Sequence, residues 1–186
     1  MKLSLLGGAS RAGKSLLAHR LLLERQLPYL PLDALKMGIS NGLPELGVDP
    51  NASPVVYGEQ LWPLIQALAI NLIESDLSYV LEGDALLPKH AADLSQRYPD
   101  QVRVAFLGYT MAEPAEKLQT IRTFRGGAND WVQGYPDKYV QDLISEMTAF
   151  SRYLKRECAL HHLAYFDSSS DFLSTLEQAF CYLGEE

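Results

Sequence analysis

An eight-residue segment near the start of the chain constrains the fold more than any other feature of the sequence. It consists of Gly8, Ala9, Ser10, Arg11, Ala12, Gly13, Lys14 and Ser15, and is followed by Leu16. This is the G-x-x-x-x-G-K-[ST] spacing of a phosphate-binding loop, the P-loop. The apolar run at residues 2–6 predicts a buried strand before it. Leucines at helical spacing predict a helix over residues 15–26 after it.

The glycines and the lysine of this segment explain why its spacing suits phosphate. Gly8 and Gly13 allow the backbone to curl so that successive N–H groups point at phosphate oxygens, and the helix start adds about half a positive charge. Lys14 is expected to reach the β- and γ-phosphates, and the hydroxyl of Ser15 to ligate magnesium. The sequence therefore predicts that the segment, through Leu16, binds ATP with Mg²⁺.

The composition narrows the possible partners. The 186 residues suffice for one domain with a substantial core. A formal net charge of −7 disfavours nucleic acid, whose binding needs clustered lysine and arginine. Cys158 and Cys181 lack the spacing of a disulfide framework or a zinc site. The apolar runs are too short for a membrane span, so we expect a cytoplasmic protein, and its oligomeric state stays open.

Strand and helix patterns alternate along the whole chain. Apolar runs predict strands over residues 2–6, 28–32, 79–81, 102–107 and 163–166. Amphipathic patterns predict helices over residues 15–26, 60–75, 89–97 and 110–122, one from about 137, and one after the serines at 168–170. Thr110 and Glu113 match a capping box at the fourth of these helices. The expected fold is an α/β single-domain P-loop NTPase over residues 1–186: a five-stranded parallel sheet with helices on both faces and a small lid.

Carboxylates follow several of the predicted strands, at the sheet edge where such folds bind ligands. A carboxylate there can accept a proton from an acceptor hydroxyl during phosphoryl transfer, or hold magnesium. Asp33 is the predicted general base, with helix capping as the alternative. Glu82, two residues before Asp84, is predicted to contact magnesium or the acceptor, with a hydrogen bond to the P-loop as the alternative. Asp167 is expected to be a turn or cap residue, and Lys36 either binds an anionic acceptor or is an exposed lysine.

Two segments are rich in glycine, proline or asparagine. Residues 38–58 are predicted to be an irregular loop that contacts the phosphoryl acceptor. Residues from about 122 to 137 are predicted to be a lid, in which Arg122 and Arg125 close over the phosphates. The alternative for these arginines is a solvated surface position.

The chain resembles the small P-loop kinases of the adenylate kinase and shikimate kinase group over nearly its whole length. Within that group, residues 81–88 are similar to the Glu-Gly, apolar, proline segment of 2-phosphoglycerate kinase-like proteins, although Asp84 stands where those have an apolar residue. Residues 165–169 are similar to the last strand and serine turn of such kinases, where the nucleotide base commonly lies. The resemblance implies phosphate binding by Gly8, Gly13, Lys14 and Ser15, a catalytic or acceptor-binding role for Asp33, and lid arginines at Arg122 or Arg125.

These features together predict an ATP- and magnesium-dependent phosphotransferase that acts on a small metabolite. One alternative is a regulatory NTPase that hydrolyses nucleotide without an acceptor. Another is a kinase that acts on a nucleotide or a nucleic-acid end, which the acidic charge disfavours. The absence of an Asn-Lys-x-Asp motif disfavours a GTPase switch.

Overall fold

The computed structural model describes residues 2–123 and 131–184. Its centre is a sheet in which all neighbouring strands run parallel. The strands are β1 (Leu3–Gly8), β2 (Tyr29–Pro31), β3 (Tyr79–Gly83), β4 (Val102–Gly108) and β5 (Ala164–Asp167). Their order is β2-β3-β1-β4-β5, which places β1 in the middle. The predicted α/β fold with a five-stranded parallel sheet is confirmed.

Helices connect the strands. In the described part of the chain they are α1 (Lys14–Arg25), α2 (Leu32–Gly42), α3 (Pro54–Glu74), α4 (Pro88–Arg97), α5 (Pro114–Thr123), α6 (Asp137–Leu160) and α7 (Phe172–Gly184). Two short 3-10 turns cover Pro44–Leu46 and Trp131–Gly134. Among these described helices, none combines the length and the apolar character that crossing a membrane requires.

The central strand shows that helices cover both faces of the sheet. Leu5 and Leu6 are both fully buried, and successive strand residues point to opposite faces. Helix α1 packs against α7, and α4 packs against α6. The P-loop follows β1 directly, so it lies at the carboxyl edge of the sheet, where folds of this type bind their ligands.

The irregular segment predicted over residues 38–58 is shorter than expected. Helix α2 continues to Gly42, and α3 already begins at Pro54, which leaves only residues 43–53 between them. Proline suits the first helical turn because it has no N–H to satisfy there. Tertiary packing overrides the glycines and asparagine of α2, whose buried residues Leu32, Lys36 and Ile39 recur at helical spacing.

Two further boundaries differ from the sequence prediction. The capping box is wrong because α5 begins at Pro114, and the Thr110 hydroxyl instead donates a hydrogen bond to the carboxylate of Asp167. Strand β3 extends to Gly83, so Glu82 lies within the strand and does not follow it. This longer strand pairs Glu82 with Leu6 of β1, two residues before the P-loop begins.

Candidate active site

The P-loop is shaped by two glycines with positive φ angles. Gly8 has φ 139° and Gly13 has φ 100°. A Cβ atom on Gly8 would lie 2.1 Å from the carbonyl oxygen of Leu107 in β4, so no other residue fits there. The neighbouring Ala9 N–H donates to that same carbonyl at 2.9 Å. The start of the loop is therefore fixed to the sheet.

The other predicted P-loop residues complete this turn. The Ala12 N–H donates to the Ala9 carbonyl at 3.2 Å, and Arg11 takes a left-handed conformation with φ 63°. Gly13 precedes α1, and the first turn of a helix leaves N–H groups without an intrahelical partner. Leu16 is exposed. A compact turn that leads into a helix N-terminus is suited to hold phosphate through its backbone.

Lys14 is the buried cation of this loop. The residue is 6% exposed, and its Nζ donates a hydrogen bond to the Ala9 carbonyl at 2.9 Å. The ammonium is therefore held against the backbone of its own loop in this structure. A phosphate oxygen is a stronger acceptor for an ammonium than a neutral carbonyl, so the side chain is positioned to exchange one partner for the other.

Ser15 and Glu82 meet beside the loop. The Ser15 hydroxyl donates to Oε2 of Glu82 at 3.4 Å. Glu82 is only 6% exposed. Burial raises the pKa of Glu82, the charge of Lys14 opposes this shift, and the negative charges of Asp33 and Asp84 reinforce it. The structure thus brings together the two residues that the sequence predicts as magnesium contacts.

These two oxygen donors fit the requirements of magnesium. Mg²⁺ is held through one or two carboxylates together with waters and substrate phosphates. Within residues 2–123 and 131–184, no cluster of three or more His, Cys, Asp or Glu side chains forms a preformed metal site. Ser15 and Glu82 therefore suit a magnesium ion that arrives with the nucleotide better than one bound by the protein alone.

Asp33 lies in the first turn of α2, on the open side of this acidic group. Its side chain is 60% exposed, and Oδ1 lies 2.7 Å from Nζ of Lys36. Lys36 is buried, so the alternative of an exposed lysine is wrong. Its ammonium also lies 4.2 Å from the ring centroid of Tyr57 in α3. The ion pair holds the Asp33 carboxylate in one orientation beside Tyr57.

Tyr57 also belongs to this site, although no sequence pattern indicates it. Its hydroxyl lies close enough to Asp84 for the charge of that carboxylate to act on it. Burial raises the pKa of Tyr57 well above its ordinary value, and the charges of Asp84 and Asp33 act in the same direction. Residue 57 falls within the irregular loop that the sequence predicts over residues 38–58. Only the helical start of α3 turns it toward the carboxylates.

A second concave region lies at the ends of β4 and β5. It is a cavity of about 180 Å³, lined by the serines 168–170 and by side chains that include Tyr109, Glu113, Glu116, Lys117 and Phe172. The Tyr109 hydroxyl donates to the Ser10 carbonyl of the P-loop at 2.9 Å. The cavity and the P-loop therefore share a wall.

Asp167 holds the segment after β5 in place. It accepts hydrogen bonds from the Thr110 and Ser169 hydroxyls and from Nζ of Lys155, the last at 3.0 Å. Burial alone would raise the pKa of Asp167, but the hydrogen bonds from Ser169, Thr110 and Lys155 outweigh it and hold the pKa well below the usual range. Asp167 has the turn role that the sequence predicts.

Of the two predicted lid arginines, Arg122 lies among the described residues. The Arg122 guanidinium donates to the carbonyls of Val132 at 3.0 Å and Tyr135 at 2.8 Å, and to Oδ1 of Asp137 at 2.9 Å. In this arrangement Arg122 fastens residues 132–137 to α5. Arg125 lies outside the described residues.

Neither the protein-family models nor the curated proteins include a match to this chain. Solved structures match over nearly the full length. The shikimate kinase of Bacteroides thetaiotaomicron is 14% identical, with a TM-score of 0.55 and coverage of 99% of both chains. A gluconokinase from Sinorhizobium meliloti 1021 is 15% identical, with a TM-score of 0.57 and coverage of 98% of this chain and 91% of the other.

The fold is that of the small P-loop kinases. A sugar kinase from Janibacter sp. HTCC2649 has the same fold. It is 19% identical, with a TM-score of 0.54 and coverage of 98% of this chain and 94% of the other. The predicted resemblance to the adenylate kinase and shikimate kinase group is confirmed at the level of the fold. The similarity of residues 81–88 to 2-phosphoglycerate kinase-like proteins stays a prediction, because these three structures do not test it.

Proposed function

We propose that this protein is a cytoplasmic kinase that uses ATP and Mg²⁺ to phosphorylate a hydroxyl group of a small metabolite. The observation that carries the proposal is the position of a P-loop with a buried lysine beside the carboxylates of Asp33, Glu82 and Asp84, whose charges act on one another. Cys158 and Cys181 are both unpaired, which fits a reducing compartment.

The P-loop would hold the phosphates of ATP through its backbone N–H groups and the N-terminus of α1. Lys14 would leave the Ala9 carbonyl and bind the β- and γ-phosphate oxygens, whose charge it neutralises during transfer. Ser15 and Glu82 would hold magnesium, which supplies further neutralisation of the phosphates when bound. The cavity beside Tyr109 would take the nucleotide base, because it shares a wall with the P-loop and includes the serine turn after β5.

The acceptor would bind between α2 and α3. Asp33 is exposed enough to meet a hydroxyl group, and Lys36 holds its carboxylate in place. The carboxylate would accept the hydroxyl proton as the phosphoryl group leaves, and such a general base is worth about 10² to 10⁴ in rate. Arg122 and Arg125 are proposed as lid arginines. In that role Arg122 would exchange its carbonyl partners for phosphate oxygens on closure.

The direct test is a screen for an acceptor. The protein is incubated with ATP and Mg²⁺ and with polyols, sugars, hydroxy acids, nucleosides or a 5′-hydroxyl oligonucleotide, with Lys14→Ala as the control. ADP release and the mass of each acceptor are measured. We expect one small acceptor to gain a phosphoryl group and to accelerate ADP release. ADP release without any phosphorylated acceptor would identify a plain NTPase, and phosphorylation of the oligonucleotide alone would identify a nucleic-acid-end kinase.

A further inference from the structure

Lys117 of α5 is buried, and within the described part of the chain its ammonium has no polar partner. It is 8% exposed and lines the cavity at the ends of β4 and β5. Its ammonium lies 4.5 Å from the ring centroid of Tyr109 and 5.3 Å from that of Phe172. In residues 2–123 and 131–184 no oxygen accepts a hydrogen bond from this ammonium, and no carboxylate pairs with it. Even Glu113 and Glu116, which line the same cavity, form no ion pair with it.

The other two buried lysines differ in this respect. Lys14 donates to a carbonyl oxygen, and Lys36 pairs with a carboxylate. An ammonium that has lost water and gained only aromatic rings favours its neutral form. Burial accordingly lowers the pKa of Lys117 to about 8. At pH 7 about a tenth of the molecules then carry a neutral amine at this position, compared with fewer than about one in a thousand for an ordinary lysine.

The walls of the cavity select the kind of reagent that reaches this amine. Tyr109 and Phe172 present aromatic rings, and Glu113 and Glu116 are acidic. Uncharged, partly apolar molecules suit such walls, whereas the two carboxylates repel anionic donors such as acyl phosphates. A product that keeps a positive charge on nitrogen would retain the contacts with the rings and the favourable field of the carboxylates.

We propose that Lys117 is a covalent modification site for small uncharged aldehydes, which form an imine with its amine inside the cavity. The Nζ lone pair forms a bond to the carbonyl carbon and gives a carbinolamine. The carbonyl oxygen then leaves as water with two protons from the nitrogen, and a C=N bond remains. No electron donor or acceptor is needed. The imine would occupy the space proposed for the nucleotide base, so aldehyde and ATP would compete; this second part rests on the proposed function.

The test uses the intact protein with benzaldehyde and sodium cyanoborohydride, which reduces an imine to a stable amine. Labelling at each lysine is followed by peptide mapping with mass spectrometry between pH 6 and pH 10. Lys138 is the internal control, because its side chain is 85% exposed on α6. We expect initial labelling at pH 7 to be about tenfold faster at Lys117 than at Lys138, because its more than hundredfold larger fraction of neutral amine outweighs its lower exposure. The rate at Lys117 should level off above about pH 8.

Equal or slower labelling of Lys117 at pH 7 would overturn the proposal, as would a rate that still rises steeply above pH 9. The same experiment with ATP and Mg²⁺ separates the proposal from the proposed function. Protection of Lys117 but not of Lys138 supports competition in the cavity. Fast labelling that ATP leaves unchanged would keep Lys117 as an aldehyde site and would contradict the placement of the nucleotide base.

Discussion

The P-loop and the cavity beside it each contain a buried lysine, but the two lysines are held in different ways. Lys14 has an oxygen partner supplied by the backbone of its own loop. Among the residues that the structure describes, the ammonium of Lys117 has no oxygen partner and instead lies near the rings of Tyr109 and Phe172, which come from separate parts of the chain. A phosphate site formed by the backbone of one loop requires a fixed residue spacing, so it can be recognised as a motif in the sequence. A cavity lined by side chains from two separate segments requires only that they fit together in the fold, so no sequence motif indicates it.

The largest loss of activity is expected from a substitution in the P-loop. Lys14→Ala removes the cation that is placed to bind the transferred phosphate, and we expect turnover to fall by about 10²- to 10³-fold. Steady-state ADP release with the identified acceptor measures it. Lys138→Ala is the matched control, because that lysine is exposed on α6. Wild-type turnover in the Lys14 variant would exclude phosphoryl transfer at the P-loop.

The next effect concerns the proposed base. Asp33→Asn keeps the shape of the side chain but removes its basicity, so turnover should fall by about 10²-fold or more while ATP affinity stays near the wild-type value. Because the substitution also breaks the ion pair with Lys36, the control is Lys36→Met, which breaks the pair but keeps the carboxylate. A greater loss of turnover in the Lys36 variant than in the Asp33 variant would return Asp33 to a structural role.

Glu82→Gln should change activity and stability in opposite directions. Loss of a carboxylate at the magnesium position should lower turnover by about 10- to 100-fold. The pKa of Glu82 is raised by burial, so its charged form opposes folding, and this cost appears as pH rises through the folded-state pKa. Chemical denaturation should therefore find the variant more stable than wild type at pH 8, with the difference shrinking toward pH 4. A variant that is less stable than wild type at pH 8 would show that the charge of Glu82 supports the fold.

The smallest effect is expected on ATP affinity, from a substitution at Tyr109, where the cavity and the P-loop meet. Tyr109→Phe removes the hydrogen bond to the Ser10 carbonyl, worth about 1 kcal/mol, so ATP affinity should fall about fivefold. Titration calorimetry measures this, and Tyr139→Phe on the exposed surface of α6 is the control. Equal affinities for the two variants would mean that the wall does not position the P-loop.

Short-range patterns predicted the parts of the fold that are local in sequence. Strand β1, the P-loop and α1 follow one another, so their residues reveal them without knowledge of the rest of the chain. The start of α3 was missed because Pro54 and the glycine at position 58 resemble loop residues until packing is known. For the same reason the sequence does not predict Tyr57 as a residue of the site.

Long-range contacts explain what else could not be predicted. The 3.4 Å contact between Ser15 and Glu82 depends on the pairing of β1 with β3, which fixes where Glu82 lies along the sheet edge. The sequence predicts Glu82 as a site residue because it directly follows an apolar run, but it does not predict this contact. Lys117 had no such signal, because its surroundings combine Tyr109, which follows β4, with Phe172 of α7, which is distant in sequence.

The central claim is that the P-loop and the cavity are two ends of one ATP site. Titration calorimetry in the presence of Mg²⁺ tests it with two ligands, ATP and inorganic tripolyphosphate, on wild type, Lys14→Ala and Lys117→Met. Tripolyphosphate has the phosphates but no base. The account predicts that the Lys14 variant loses affinity for both ligands, whereas the Lys117 variant loses affinity for ATP alone. Unchanged ATP affinity in the Lys117 variant, or an equal loss for both ligands, would contradict it.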